Sequence, residues 1–95
     1  MTIRSFRCAQ TQALYEGKKP KGFRNIEAVA QRKLQILDDA TELRDLGSPP
    51  GNRLEALIGD RAGQHSIRIN DQWRVCFEWP DGSIGPVNVE IVDYH

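Results

Sequence analysis

The chain has 95 residues, enough for one domain with one modest core. Its hydrophobic content of 39% is ordinary for a globular protein and excludes wholesale disorder. The net charge is zero, but residues 1–46 carry nine Lys/Arg against six Asp/Glu, and residues 53–95 carry four against seven. Any surface that binds nucleic-acid phosphates must therefore be local, drawn from the first half and from a few well-placed arginines.

Neither a targeting segment nor a metal site is expected. Arg4 and Arg7 interrupt the first residues before an apolar run can build, so a secretory signal and a membrane span are disfavoured, and a cytoplasmic location is favoured. Cys8 and Cys76 lack metal-ligand spacing, and buried free thiols are favoured over a disulfide. No repeat or long linker divides the chain, so residues 1–95 are expected to form a single domain without cofactor or metal.

The first half of the chain is predicted to contain a short strand followed by two or three helices. These elements are a strand over 3–6, a helix over 11–16, a helix that starts from an N-cap at Asn25, and its continuation or restart over 41–46. Apolar residues at three- and four-residue steps from Ile26 to Ala40 indicate the main helix. Gly17 and the Gly-Ser-Pro-Pro-Gly run at 47–51 are typical helix stops.

The second half is predicted to contain only strands and turns. Four strands are expected, over 54–58, 65–70, 73–79 and 87–92. Glycine-containing turns at 59–63 and 80–82 connect two of the strand pairs. A strand, helices and then a four-strand antiparallel meander define an α+β fold, in which the helices cover one sheet face and leave the other available.

The pairing of the central hairpin decides where two arginines lie. A three-residue loop over 70–72 pairs Ile67 with Val75 and keeps the apolar face clean, whereas a two-residue loop would mix apolar and polar side chains on both faces. The same register sets Arg68 directly opposite Arg74 on the other face. Like charges that face each other are destabilising unless an anion lies between them, so this register predicts a phosphate site.

The last strand supplies candidates for proton transfer. Alternation predicts that three of its apolar residues face the core: Val87, Val89 and Ile91. Tyr94 is then directed toward the arginines, and His95 lies just beyond. Cleavage of RNA needs a base for the ribose 2′-hydroxyl, an acid for the leaving 5′-oxygen and a cation for the phosphate. His95 suits either proton role near neutral pH, and Asp93 could orient it.

Less reactive interpretations stand beside these. Glu78 and Glu90 share the parity of Arg74, so cross-strand ion pairs on a solvated face would explain the arginines without catalysis. His65 could contact an RNA base, but a lone strand histidine is more often a surface residue. A basic cluster could bind the RNA backbone or the ribosome, although a solvated loop is at least as common; its members are Lys18, Lys19, Lys21 and Arg24.

Taken together, these residues resemble the HigB branch of the RelE/ParE toxins of bacterial type II toxin–antitoxin systems. The matching stretches cover nearly the whole chain: 3–6, 43–46, 49–54, 59–61, 66–74 and 89–95. The resemblance implies a metal-independent, ribosome-dependent endoribonuclease that cleaves mRNA in the decoding site. It also implies a HigA-like helix-turn-helix antitoxin that represses the shared operon, so operator DNA would be reached only through the antitoxin.

The resemblance also assigns roles to particular residues. It implies phosphate-binding cations at Arg68 and Arg74 and a C-terminal catalytic group of Asp93, Tyr94 and His95. Some relatives carry a histidine and a lysine just before the Gly-Asp-Arg turn, where this chain has Glu55 and Ile58. A missing cation weakens transition-state stabilisation, which points to a mild toxin or to greater reliance on the arginines.

Two other functions stay open at this stage. A ParE-like toxin would poison gyrase by binding it, without hydrolysis. ParE-type chains generally lack the terminal Asp-Tyr-His and the paired-arginine hairpin, which favours the ribonuclease. A degenerate member would only bind its antitoxin, and Ile58 and the neutral charge favour that reading.

Overall fold

The computed structural model of the protein describes residues 2–93 as two helices and a four-stranded antiparallel sheet. The elements are helix α1 (Ala9–Tyr15), helix α2 (Glu27–Asp39) and strands β1 (Glu55–Ala56), β2 (His65–Arg68), β3 (Trp73–Glu78) and β4 (Val87–Asp93). The strands lie in the order β1-β2-β3-β4. Short 3-10 helices occupy the connections, at Lys21–Phe23, Leu43–Gly47, Pro50–Asn52 and Gly59–Arg61. The predicted α+β fold with an antiparallel meander is confirmed.

The core lies between the two helices and one face of the sheet. Its fully buried side chains come from both layers: Leu14, Leu34 and Leu37 from the helices, and Ile67, Val75, Phe77 and Val89 from the strands. Burying one such side chain stabilises the fold by about 1.5–3 kcal/mol, so this layer fixes the orientation of the sheet. Within residues 2–93, neither helix has the length and apolar run that a bilayer crossing requires.

The predicted N-terminal strand is reduced to a single parallel bridge between Phe6 and Val89. The segment does lie along β4, because the Val89 N–H donates to the Ser5 carbonyl at 3.1 Å. The ladder stops there for two reasons. Pro86 has no N–H to donate, and the Asn88 N–H donates to the Ser5 hydroxyl instead of a backbone carbonyl. The prediction of a strand over 3–6 was therefore wrong.

Local hydrogen bonds also move two predicted helix boundaries. Asn25 is not the cap of α2, because Ile26 occupies the cap position and makes no side-chain hydrogen bond there. The Ile26 N–H donates to the Phe23 carbonyl in the preceding turn, and the Ile26 side chain is buried in the core. The segment after α2 restarts as a separate 3-10 helix, capped reciprocally by Glu42 and Asp45. The predicted strand over 54–58 shrinks to two residues.

A β-bulge in β4 changes the face of one predicted core residue. Asn88 adopts φ 54°, and the pairing of β3 with β4 shifts so that Glu78 faces Val87. Val87 thereby shares the face of Glu78, and its predicted place on the core face was wrong. The other two residues predicted on the core face are buried: Val89 and Ile91.

A buried carboxylate fastens the N-terminal segment to the helices. Asp38, only 5% exposed, accepts hydrogen bonds from the Thr2 N–H at 2.9 Å, the Ile3 N–H at 3.1 Å and the Tyr15 hydroxyl at 2.9 Å. Burial, and then the hydrogen bond to Asp38, raise the pKa of Tyr15. This single side chain therefore joins α2 to α1 and to the segment that runs along β4.

We expect Asp38→Ala to lower the free energy of unfolding by about 1–3 kcal/mol, because the Ile3 N–H and the Tyr15 hydroxyl lose their acceptor in a partly buried position, while the Thr2 N–H keeps the Asp38 backbone carbonyl. The matched control is Asp39→Ala, which removes the neighbouring, exposed carboxylate and should change stability by less than about 0.5 kcal/mol. Urea denaturation measures both values. Equal losses for the two variants would contradict the structural role of Asp38.

Candidate active site

The central hairpin has the register that its apolar pattern predicts. Ile67 pairs with Val75, and Arg68 pairs with Arg74. The loop between the strands is closed by Asn70, whose side-chain oxygen accepts the backbone N–H groups of the second and third residues after it, both at 2.8 Å. The prediction that the two arginines face each other on the side away from the core is confirmed.

The sheet face that bears these arginines, here called the arginine face, is uncharged at its centre. Its central row crosses the four strands through Glu55, Ser66, Cys76 and Glu90. Ser66 and Cys76 are buried although the helices pack on the opposite face. Burial raises the pKa of the Cys76 thiol to about 11, so this thiol is neutral and unreactive at physiological pH. The two central residues of the row therefore contribute no charge, and the two carboxylates lie at its ends.

Each arginine on this face has an acidic neighbour, but the pairs differ from those predicted. Glu78 and Glu90 do not bind the central arginines: Glu78 accepts from Arg7 at 3.1 Å, and Glu90 accepts from Arg61 at 2.9 Å. Arg68 donates instead to Asp71 in the hairpin loop. Arg74 Nη1 lies 3.7 Å from Glu55 Oε1. The ion pairs of Arg68 with Asp71 and of Arg74 with Glu55 offset part of the repulsion between the two arginines.

The two acidic partners of the central arginines are themselves accessible. The side chain of Asp71 is fully exposed and that of Glu55 is 52% exposed, whereas the Arg74 side chain is only 15% exposed. Exposed ion pairs of this kind contribute little to stability and are screened by salt. Both carboxylates can therefore leave the arginines at little cost to the stability of the fold.

The structure reaches only the first residue of the proposed C-terminal catalytic group. Asp93 pairs with Trp73, and its carboxylate accepts a hydrogen bond from Gln72 Nε2 at 3.0 Å. Strand alternation puts Asp93 on the face of Trp73, opposite to the arginine face, at the end of the hairpin. Tyr94 and His95 lie outside the described residues, and their roles stay predictions.

The other candidate residues lie away from the arginines. His65 pairs with Phe77 and stacks on its ring, with a centroid distance of 6.0 Å, so it points to the core face. His65 therefore does not lie where it could contact an RNA base bound on the arginine face. The basic cluster forms an exposed loop between α1 and α2, where Lys18 Nζ lies 3.7 Å from Glu16.

Two residues near the arginines were missed by sequence reasoning. Asn52 is fully buried and donates to the carbonyls of Leu46 at 3.2 Å and Ser48 at 3.3 Å. Its side-chain oxygen accepts from Lys33 Nζ at 2.7 Å. Burial, followed by the charges of Arg32 and Arg68, lowers the pKa of Lys33. The sequence did contain a signal for this contact, because Lys33 lies among the apolar positions of the main helix.

The buried thiol makes stability depend on pH in one direction. Burial raises the pKa of Cys76 in the folded chain, so the unfolded chain loses the thiol proton at a lower pH. We therefore expect the free energy of unfolding to be unaffected by this thiol below about pH 9 and to fall by about 1–2 kcal/mol as the pH rises toward about 11. Urea denaturation at pH 8 and at pH 10.5 measures the loss. Cys76→Ala should reduce the loss, and Cys8→Ala, which alters the less buried thiol, should leave it unchanged. The same pH dependence of stability in both variants would contradict the assignment of the loss to ionisation of Cys76.

Comparisons with known proteins give a consistent result. A family model described as the RelE-like toxin of type II toxin-antitoxin system HigB matches residues 4–95. Toxin HigB-1 of Vibrio cholerae is 52% identical over 58 residues, and the match covers 61% of each chain. Endoribonuclease HigB of Proteus vulgaris is 33% identical over 95 residues, which covers 98% of this chain and 99% of that relative.

Solved structures agree on the fold. A mutant of YafQ from E. coli superposes with a TM-score of 0.57 at 11% identity and covers 92% of this chain and 88% of that chain. A chain of the YoeB-YefM complex from Staphylococcus aureus gives a TM-score of 0.55 at 17% identity, with coverage of 100% and 99%. At such low identities the superpositions show a shared fold alone.

Proposed function

The chain belongs to the HigB-like family of RelE-like toxins of type II toxin–antitoxin systems, and from that premise we propose that it is an endoribonuclease that cleaves mRNA on the ribosome. The observation that carries the proposal is the pairing of Arg68 with Arg74 on the sheet face that the helices leave open. Two guanidinium groups so placed can hold one phosphodiester through charge-assisted, bidentate hydrogen bonds.

The proposed reaction begins when the mRNA backbone displaces Asp71 and Glu55 from the arginines. The phosphate gains negative charge as the ribose 2′-oxygen attacks phosphorus, and guanidinium groups already in place stabilise that charge without reorganisation. The partly buried Arg74 suits this role, because a charge–charge contact strengthens as water is excluded. The bond to the 5′-oxygen then breaks, which leaves a cyclic phosphate on the upstream fragment.

Two protons must move during this reaction. We assign them to Tyr94 and His95, which follow directly after β4. One group accepts the proton of the 2′-hydroxyl, and the other gives a proton to the leaving 5′-oxygen. Asp93, which accepts a hydrogen bond from Gln72 in the hairpin loop, is proposed in this scheme to orient His95.

The proposed setting is the cytoplasm, with the ribosome as the partner that presents mRNA in the decoding site. The toxin family implies a cognate antitoxin, which we propose to be a HigA-like helix-turn-helix protein that alone contacts operator DNA. The basic cluster at Lys18, Lys19, Lys21 and Arg24 is proposed to bind ribosomal or messenger RNA backbone outside the catalytic face.

A toxin that only binds its antitoxin is the second candidate. Two observations favour it: Ile58 is 88% exposed where some relatives carry a lysine, and the central arginines already have acidic neighbours. A toxin of this kind would arrest no growth when it is expressed without antitoxin. A gyrase poison would arrest growth through DNA damage and leave mRNA intact.

Mapping of mRNA 5′ ends after induction separates these functions. We expect new ends inside translated frames for the native chain, and neither new ends nor growth arrest for Tyr94→Phe combined with His95→Ala, because both proton-transfer groups are removed. Growth arrest that persists in the double variant would contradict the ribonuclease and support a gyrase poison. Absence of both arrest and new ends with the native chain would support the antitoxin-binding member.

Single-turnover cleavage of mRNA on programmed ribosomes tests the phosphate-binding role. We expect Arg68→Ala and Arg74→Ala each to slow cleavage about 10²-fold, because each removes a preorganised cation from the transition state. Arg74→Lys should retain part of the rate, since it keeps the charge but loses the bidentate contact. The control is Arg44→Ala, which removes an 83% exposed arginine outside the sheet and should cleave at the native rate. Native rates for both central variants would contradict the proposed site.

A further inference from the structure

A third arginine lies near Arg68 and Arg74. Glu55 faces Ser66 in the antiparallel β1–β2 pair, so Arg53, two residues before Glu55, approaches the end of β2 at which Arg68 lies. Arg68 in turn faces Arg74 across the next strand pair. Three arginines are therefore gathered at this end of the hairpin, although only two of them belong to it.

Arg53 is held in a conformation that arginine disfavours. Its φ of 48° is left-handed, a region in which asparagine or glycine would be less strained. The residue before it, Asn52, is fully buried and fixed by three hydrogen bonds, to the Leu46 and Ser48 carbonyls and from Lys33 Nζ. The backbone at Arg53 is thus attached to a buried, hydrogen-bonded residue and not to a mobile loop. Strain retained at such a position is a common mark of function.

One carboxylate marks the place where the three charges meet. Asp71 accepts a hydrogen bond from Arg68, and the positive charges of Arg53 and Arg74 also act on it. The hydrogen bond and the charge of Arg68, and then the charges of the other two arginines, hold the pKa of Asp71 below its usual range. Asp71 is thus a fully exposed anion bonded to Arg68 and within the electrostatic reach of two further arginines, a charge environment that would also suit a phosphate.

We propose that Arg53 is a third phosphate-binding residue, which closes a clamp with Arg68 and Arg74 on one RNA phosphate whose place the Asp71 carboxylate takes in the free chain. This inference rests on the proposed ribonuclease function and deepens it. Arg53 binds the substrate backbone without sequence preference, and Asp71 competes with that backbone.

The test measures half-saturation and salt dependence of mRNA cleavage by the full-length chain on programmed ribosomes. We expect Arg53→Ala to raise the half-saturating concentration about tenfold and to flatten the slope of log affinity against log salt by about 0.7, as one lost phosphate contact does on a single strand. Arg53→Lys should keep most of the slope. The charge-matched control, Arg44→Ala, should keep both native values.

Arg53→Gly separates binding from folding. Glycine adopts a φ of 48° without strain, so we expect this variant to resist urea at least as well as the native chain while it loses affinity as Arg53→Ala does. Values for Arg53→Ala and Arg53→Gly equal to those of Arg44→Ala would overturn the role of Arg53. If the native chain cleaves no mRNA, the proposed function itself fails; if cleavage depends on Arg68 but not on Arg53, only this inference fails.

The competing carboxylate provides the reverse test. We expect Asp71→Asn to lower the half-saturating concentration about threefold, and to do so less in the Arg53→Ala background, because one of the charges that Asp71 neutralises is then absent. Asp81→Asn removes an exposed carboxylate from the other hairpin turn and should leave the native value. An unchanged or weakened affinity in Asp71→Asn would overturn the role of Asp71 as the phosphate's substitute.

Discussion

The pairing of Ile67 with Val75 is the constraint on which the rest of the structure depends. Both side chains are fully buried, so a slip of one residue would expose them and drive charged groups into the core. The same pairing sets Arg68 against Arg74 on the open face. Two like charges are thus forced together by hydrophobic burial on the other side of the sheet. The free energy gained by burying Ile67 and Val75 therefore offsets the repulsion between Arg68 and Arg74.

The free chain tolerates this concentration of positive charge because acidic side chains lie beside it. The most exposed of them, Asp71 and Glu55, contact the central arginines, while the less exposed Glu90 pairs with Arg61. In the proposed function, the arginines are nearly neutralised in the free chain and become available to a phosphate once the exposed carboxylates move away. This arrangement also explains how a chain with no net charge can present a local site for an RNA backbone.

Sequence reasoning succeeded where side-chain parity decides the outcome and failed where local hydrogen bonds do. The hairpin register followed from alternation alone. Val87 was assigned to the wrong face because the bulge at Asn88 depends on a contact with the N-terminal segment. The face of His65 could have been predicted, since it shares the parity of Ile67. The acidic partner of Arg68 could not be inferred, because it depends on the conformation of the hairpin loop.

The central claim is that RNA lies on the arginine face, with one phosphate between Arg68 and Arg74. The most direct measurement is a structure of the full-length chain on a ribosome whose mRNA carries a 2′-O-methyl group at the cleavage site, which blocks the nucleophile. The account predicts that the adjoining phosphate accepts hydrogen bonds from both guanidinium groups and that the Asp71 carboxylate has moved away. A messenger bound to the basic loop or the helices, with both ion pairs of the central arginines intact, would contradict it.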